Sequence, residues 1–202
     1  MRLVFNHPKI NNKKEEKGLS LIESAMVLAL AATVTAGVMF YYQSASDSNK
    51  TQSAISEVMS ATSAINGLYI GQSSYGGLNE RVLVNSSAIP DNYKDEANGK
   101  IRNPFGGNLN VNPAQANNKG FGYHITLTNL PKSACVSLAT LNLGTSAAGY
   151  GINVTDPAGV TLTASSNAST SNFMKINAIS PSDASTSCGN ASNNNSVTYF
   201  MK

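Results

Sequence analysis

The chain has 202 residues and a formal net charge of +3, and its length fits one globular domain with an extension. Residues 1–18 hold five basic and two acidic side chains, whereas the rest of the chain holds nine of each. The balance beyond residue 18 therefore excludes the clustered basic surface that nucleic-acid binding requires.

The basic segment, residues 1–18, ends at an apolar stretch. Basic residues that flank a membrane helix stay on the cytoplasmic side, so the sequence predicts a cytoplasmic leader and an exported remainder. The 19 residues from Ser24 to Tyr42 carry no charge, which is close to the ~20 that a helix needs to cross a bilayer. One carboxylate, Glu23, lies at the start of this stretch, where an unpaired charge is unfavourable. We expect Glu23 to have a cationic partner at the same depth.

Gly18 precedes the apolar stretch, whereas an ordinary secretory signal has its cleavage site after that stretch. Cleavage between Gly18 and Leu19 would keep the apolar anchor and create a free amine four residues before Glu23. An amine and a carboxylate in lipid are each unfavourable alone and tolerated as a pair, and the amine could belong to the same subunit or to a staggered neighbour. The alternative is an uncleaved signal anchor, which leaves Glu23 unexplained.

Helical character continues beyond Tyr42. Seven residues recur at spacings typical of an amphipathic helix; they are Ile55, Val58, Met59, Thr62, Ile65, Leu68 and Tyr69. The sequence therefore predicts one helix from Leu19 to Tyr69, ended by Gly71. Its hydrophobic first half, residues 19–42, would serve as the transmembrane and assembly segment. The amphipathic second half, residues 43–70, would pack on the globular domain, which extends to residue 202.

Residues 71–120 are rich in turn formers and predict a connecting loop region. Within it, Arg81–Val84 is either a short strand or an apolar anchor beneath the loop. Alternation of apolar and polar residues predicts a strand from Phe121 to Thr128. Its apolar face consists of Phe121, Tyr123, Ile125 and Leu127. His124 falls on the opposite face, and we interpret it as a surface or cross-strand residue rather than a catalyst.

Residues 121–202 are predicted to form the sheet and disulfide region. Tyr150–Thr155 and Val160–Thr163 predict a hairpin. Residues 164–172 are rich in Ser, Asn and Thr, which indicates an exposed mobile loop. The terminal strand from Val197 is apolar on both sides, so we expect it in the interior of a sheet.

Two short helices and two cysteines complete this region. Pro131 is expected at the first position of one helix, with Gly144 as its stop, and Ser180 at the start of the other. Cys135 and Cys188 both belong to the exported part, where an even number of cysteines indicates a disulfide. A metal pair or two free buried thiols are the alternatives.

Several of these motifs together resemble a known family. Gly18-Leu-Ser-Leu-Ile-Glu before a long apolar helix resembles the prepilin signature of type IV pilins, and Leu19 in place of Phe points to the type IVb class. The similarity extends to subunits of this class that form bundled pili, in Asn103-Pro-Phe-Gly-Gly, Ala134-Cys-Val-Ser-Leu-Ala-Thr-Leu-Asn-Leu-Gly and Val197-Thr-Tyr-Phe-Met-Lys. The resemblance implies an α+β fold, with a long N-terminal helix packed on an antiparallel sheet and a disulfide-closed, variable C-terminal region.

The resemblance also implies a function. The chain would be the major structural subunit of a type IVb, bundle-forming pilus, a homopolymer that mediates adhesion to cell surfaces and bacterial aggregation. A prepilin peptidase would cleave after Gly18 and N-methylate Leu19. The precursor would lie in the inner membrane with its leader cytoplasmic and its domain periplasmic. Assembly machinery driven by a cytoplasmic ATPase would then extend the fibre through an outer-membrane secretin.

Other functions remain to be weighed against this one. A pseudopilin of a type II-like secretion system, or a minor pilin or tip adhesin, would share the leader and the anchor. An enzyme is not expected, because the sequence has no Gly-x-Ser-x-Gly elbow, no phosphate-binding loop and no cluster of metal ligands. We accordingly expect no cofactor and no metal.

Overall fold

The computed structural model describes residues 20–116, 119–162, 166–190 and 194–202. The helices are α1 (Leu21–Leu68), α2 (Glu80–Val84), α3 (Lys132–Ala139) and α4 (Pro181–Ser187). The strands are β1 (Lys94–Asp95), β2 (Lys100–Arg102), β3 (Asn108–Pro113), β4 (Tyr123–Leu130), β5 (Ala147–Ile152), β6 (Phe173–Lys175) and β7 (Asn195–Met201). The chain divides into two compact units, Met1–Gln43 and Ser44–Lys202.

The long N-terminal helix is uninterrupted from Leu21 to Leu68, in agreement with the prediction over the described residues. The chain leaves the helical conformation at Gly71, whose φ of +79° is the left-handed conformation that glycine adopts readily. Gly71 is thus the helix stop that the sequence predicted.

The buried face of α1 differs from the predicted stripe. Met59 and Leu68, both assigned to the inner face, are 57% and 52% exposed. The residues of α1 that are buried are Ala54, Glu57, Val58, Ala61 and Ile65. The prediction favoured large apolar residues, whereas two small alanines on this face allow the helix backbone to approach its neighbours closely.

The seven strands form one antiparallel sheet in the order β1-β2-β3-β4-β7-β5-β6. The terminal strand β7 lies between β4 and β5, which confirms its predicted interior position. Its apolar residues pair directly with those of its neighbours, as Tyr199 does with both Ile125 and Tyr150. The sheet is therefore built around the end of the chain.

Each face of the sheet carries a separate apolar cluster. The main core includes the buried face of α1 together with Tyr123, Ile125 and Tyr199. A smaller second cluster contains Phe121, Val154 and Phe200. The prediction that Phe121 shares a face with Tyr123 is therefore wrong, because Phe121 precedes β4 and packs on the opposite side.

The region 71–120 is more regular than the predicted connecting loop. It contains α2 and the strands β1 to β3. Arg81–Val84 belongs to a helix rather than a strand, and the adjacent residues Leu83 and Val84 are both buried. The anchoring role was therefore correct and the strand alternative was wrong. β3 was missed because asparagines, which are depleted in strands, alternate with its two core residues, Leu109 and Val111.

The predicted hairpin is also wrong. The strand β5 pairs with β6 and β7, and residues 160–162 form no strand; Thr163 lies outside the described residues. Val160 and Leu162 instead pack against the second cluster. The predicted exposed loop is described from residue 166 to 172, where all side chains are exposed, and its mobility stays a prediction.

The two short helices are present with small changes. Pro131 is the N-cap of α3 rather than its first helical residue, and the helix ends at Ala139, before Gly144. Ser180 caps α4 as predicted, since its hydroxyl accepts a hydrogen bond from the backbone N–H of Asp183. Each of these helices places a cysteine within the main core.

Candidate assembly site

The N-terminal half of α1 presents an apolar surface that this chain does not cover. Every large hydrophobic side chain from Leu21 to Tyr42 is more than 60% exposed. By length and composition alone, α1 could cross a membrane. Soluble proteins seldom expose contiguous apolar patches beyond a few hundred Å², so this surface requires lipid or other protein around it.

The serine and threonine hydroxyl groups within this segment are bonded to the helix itself. Ser24 donates to the carbonyl of Leu21 at 2.9 Å, and Thr33 donates to the carbonyl of Leu30 at 2.8 Å. Thr35 donates to the carbonyl of Ala31, again at 2.8 Å. Because polar groups in hydrocarbon must be satisfied internally, these bonds make the surface compatible with an apolar environment.

Glu23 has a local role that the sequence analysis missed. Its Oε2 accepts a hydrogen bond of 2.9 Å from the backbone N–H of Ser20. Backbone N–H groups at a helix N-terminus have no partner within the helix, and a carboxylate there also interacts favourably with the helix dipole. The signal was available, since Ser20-Leu-Ile-Glu23 is the S-x-x-E pattern of a capping box.

The remaining residues of the predicted processing site lie outside the described part of the chain. These are Gly18 and Leu19, the two residues at the predicted cleavage point. The amine proposed to meet Glu23 is that of Leu19. The Glu23 carboxylate itself is on an exposed residue, open to a partner from outside its own chain.

A second carboxylate of α1, Glu57, is buried in the C-terminal half. It is 3% exposed, and neither carboxylate oxygen has a hydrogen-bond partner. Burial raises the pKa of Glu57 to about 8, because the charged form loses its hydration. Glu57 is therefore largely protonated at neutral pH. Its burial depends on which face of α1 packs on the sheet, which the sequence pattern did not show.

The disulfide joins Cys135 to Cys188, with 5.9 Å between their Cα atoms, as the even cysteine count predicted. Cys135 lies in α3, and Cys188 caps the end of α4. The bond therefore holds the two helices together and closes a region that contains β5 and β6.

Asn153 reinforces the same region. Its backbone has a φ of +53°, which asparagine tolerates better than most residues. Its amide nitrogen donates to the carbonyls of Thr170 and Ser187 and to the side chain of Asn195, while its side-chain oxygen accepts from the backbone of Ser196. One side chain thus connects three separate segments inside the disulfide-closed region and next to it.

Within the described residues, no group of three or more His, Cys, Asp or Glu side chains could hold a metal ion.

Known proteins resemble this chain in sequence. The sequence model of the Bundlin family matches residues 43–202. The chain is 69% identical over 194 residues to the major structural subunit of the bundle-forming pilus from Escherichia coli O111:H-, covering 96% of this chain and 98% of that protein. The subunit of the same name from Escherichia coli O127:H6 (strain E2348/69 / EPEC) is similar to the same extent.

Two solved structures share the fold. A type IV b pilin from Salmonella typhi matches with a TM-score of 0.50 and 21% identity, over 73% of this chain and 98% of that one. TcpA, a type IV pilin from Vibrio cholerae El Tor biotype, matches with a TM-score of 0.51 and 16% identity, over 76% of this chain and 99% of that one. At this identity the likeness concerns the fold, which is that of a type IV pilin.

Proposed function

The chain belongs to the bundlin family, and from that premise we propose how its copies join. It is the major structural subunit of a bundle-forming pilus, an extracellular homopolymer, and not an enzyme. We propose that the first half of α1, residues 19–42, is the segment through which subunits polymerise. Residues 43–202 would then form the domain displayed on the fibre.

The exposed apolar surface from Leu21 to Tyr42 is the observation that carries this proposal. A subunit that leaves the membrane must rebury these side chains, and other copies of the same helix can do so. Burying one large aliphatic side chain contributes roughly 1.5–3 kcal/mol. The small residues Ala29, Ala31, Ala32, Ala36 and Gly37 would let neighbouring helices approach closely. A head-to-tail contact that does not close generates a filament.

The hydrogen bond between Ser20 and Glu23 suggests how neighbouring subunits are aligned along the fibre, that is, how their register is fixed. In the free subunit the carboxylate accepts from the N–H of its own helix terminus. After cleavage behind Gly18, the N-methylated amine of Leu19 on one subunit would offer Glu23 of a neighbour a charged donor instead. Charge-assisted hydrogen bonds are about twice as strong as neutral ones. We therefore propose that Glu23 exchanges an internal cap for an intermolecular ion pair during assembly.

The route to the surface follows from the same premise. We propose that the precursor sits in the inner membrane with its leader cytoplasmic and its domain periplasmic. A prepilin peptidase would process it, and inner-membrane assembly machinery with an outer-membrane secretin would export the fibre. Host or bacterial cell surfaces would be the targets in adhesion and aggregation. The similarity to two major subunits, at 69% identity, favours this function over a pseudopilin or a minor tip adhesin.

Substitution of Glu23 tests the register. We expect Glu23→Ala to give stable, processed subunits but no fibres, because the carboxylate required by the incoming amine is gone. Glu23→Gln separates the two roles, since an amide oxygen can still accept from Ser20 but carries no charge. If the ion pair is what matters, Glu23→Gln also fails to assemble.

Electron microscopy of sheared fibres and N-terminal sequencing of the subunit give the readout. Thr33→Ala is the matched control, because it removes only a hydroxyl already bonded within the helix, and it should form normal fibres. Normal fibres from Glu23→Ala would remove this residue from assembly. A mature N-terminus at Met1 would refute cleavage.

A further inference from the structure

His124 is buried on the second face of the sheet. It lies in β4 and is 3% exposed, so the surface alternative of its interpretation is wrong. The cross-strand alternative is correct, since His124 pairs with Asn112 and Phe200. Its ring centroid lies 6.4 Å from that of Phe121 and 6.5 Å from that of Phe200. Its Nδ1 is buried and has no hydrogen-bond partner. The Nδ1 edge of this imidazole is therefore buried without a polar partner.

Residues 154–162, which we call the cover segment, close this face of the sheet. Val154, Val160 and Leu162 pack in the second cluster with Phe121 and Phe200. The cover segment contributes no strand to the sheet. It is thus held over the sheet by side-chain packing and by a few isolated hydrogen bonds.

Most of those bonds come from the connection between β3 and β4, and one more joins the backbone N–H of Thr155 to the side-chain oxygen of Asn172 at 2.9 Å. The backbone N–H of Gln115 donates to the carbonyl of Ala158 at 3.1 Å, and the N–H of Leu162 donates to the carbonyl of Lys119 at 2.9 Å. The Lys119 ammonium also donates to the carbonyl of Gly159 at 2.6 Å. The same ammonium lies 3.5 Å from the hydroxyl oxygen of Thr161. Breaking these five hydrogen bonds and one small apolar cluster would free the segment without disturbing the sheet hydrogen bonds.

Two charged residues, Asp156 and Lys119, lie in or contact the cover segment. The carboxylate of Asp156 favours the charged form of His124 and by itself would raise the pKa of that residue. Lys119 engages the cover segment through its backbone. Burial outweighs the effect of Asp156 and lowers the pKa of His124 to about 4. The carboxylate is thus too weak a partner to stabilise an imidazolium in the closed state.

We propose that the cover segment is an acid-operated flap, which protonation of His124 releases from the sheet so that the second cluster is exposed. A charged imidazolium beside two phenyl rings, with Nδ1 unpartnered, loses hydration that the attraction of Asp156 only partly offsets. Water can reach the ring once the cover segment lifts. Protonation and opening are therefore coupled.

The direction of the coupling follows from the two pKa values. In the open state the ring is hydrated and has a pKa near the ordinary 6.5, against about 4 when closed. The closed form is fully stable above pH 6.5 and loses stability as the pH falls towards 4. Between pH 7.5 and pH 5.0 the opening equilibrium should rise on the order of 30-fold.

Hydrogen exchange on the detergent-solubilised full chain measures this rise. The amides of Gln115 and Leu162 report directly on the cover segment, because both donate across its boundary. After correction for intrinsic exchange, we expect their protection to fall about 30-fold from pH 7.5 to 5.0. The amides of Val58 and Ile65, in the main core, should keep their protection.

Two non-titrating variants, His124→Leu and His124→Gln, should abolish the acid response in whichever of them folds. A direct measurement needs no variant: exchange at the C2 position of the imidazole, followed by mass spectrometry, gives the apparent pKa of His124. We expect slow exchange and a value well below 6.5. An apparent pKa near 6.5, an unchanged protection of Leu162, or an equal acid response in the variants would overturn the proposal.

Discussion

The two halves of α1 have the same backbone conformation and opposite surroundings. From Leu21 to Tyr42 the large apolar side chains are exposed, whereas from Ala54 to Ile65 one face is buried with the sheet. The difference arises because the second half finds its apolar partners in its own chain. The first half finds none among the described residues and therefore depends on lipid or on other subunits. The second half of α1 thus contributes to the folding of the domain, whereas the first half is available for assembly.

The largest expected difference between the two halves of α1 comes from opening the disulfide, which should destabilise the globular domain and leave the exposed half of the helix unaffected. Cys135→Ser removes the bond that closes a loop of 53 residues in sequence separation, so we expect the domain to lose roughly 4 kcal/mol of unfolding free energy. The first half of α1 has no part in this bond, and membrane insertion should be retained. Denaturant unfolding of the purified subunit measures the loss.

A double variant, Cys135→Ser with Cys188→Ser, controls for a free thiol left behind. It should match the single variant in stability. A domain as stable as the parent in both variants would show that the helices α3 and α4 hold without the crosslink.

A matched pair of truncations sharpens the comparison. Ile65→Ala empties a fully buried site in α1 and should destabilise the domain by about 2–5 kcal/mol. Val38→Ala removes an exposed side chain from the same helix and should change domain stability by less than about 0.5 kcal/mol. Chemical denaturation of both proteins in detergent provides the measurement.

In a fibre-formation assay normalised to the amount of folded subunit, we expect the opposite ranking, with Val38→Ala as the more harmful of the two substitutions. Val38→Ala would then reduce assembly, since its side chain is available to other copies, while correctly folded Ile65→Ala subunits would assemble. Equal effects of the two variants on domain stability would contradict the division of α1 into two halves.

The smallest expected effect concerns pH. Glu57 has a pKa raised by burial to about 8, so the folded domain holds a proton that the unfolded chain releases near pH 4.5. This contribution to stability is fully present below pH 4.5 and is lost as the pH rises towards 8. Between pH 5.5 and 7.5 the loss should be about 1–3 kcal/mol.

Glu57→Gln keeps the shape of the side chain and removes its titration, so its stability should lack this slope. The measurement is the unfolding free energy at several pH values, with Glu96→Gln as an exposed control that should retain the parental slope. His124 acts with the opposite sign, because its lowered pKa makes the closed fold lose stability on the acid side. If the unfolding free energy of Glu57→Gln changes with pH as steeply as that of the parent protein, the buried carboxyl group is not protonated.

The parts of the fold that could be predicted are those fixed by local pattern. The uncharged stretch from Ser24 to Tyr42 and the S-x-x-E signal at Ser20 concern residues within a few positions of one another. The terminal strand at Val197 could be placed inside the sheet because it is apolar on both sides. The pairing of Cys135 with Cys188 required only that there be two cysteines in an oxidising compartment.

The parts that could not be predicted depend on distant segments. His124 follows the alternation of an exposed face, and it is buried beside Phe121 and Phe200, which pack in the second cluster with residues about thirty positions away, among them Val154 and Val160. In β3, asparagines alternate with the apolar residues Leu109 and Val111, and the strand conformation is stabilised by pairing with β4. For assembly, the apolar segment and Glu23 were visible from the sequence, whereas the buried Glu57 required the orientation of α1 on the sheet.

The two margins of the sheet have a consequence for how the polymer is joined. At one margin β1 has two residues, both charged; at the other, the backbone N–H and carbonyl of Met174 in β6 are already bonded to Ser166. Short, charged or occupied margins prevent a sheet from recruiting strands of another molecule. Subunits crowded in a bundle can therefore touch along their side chains without merging their sheets. Margins of this kind disfavour the edge-to-edge strand pairing through which amyloid grows.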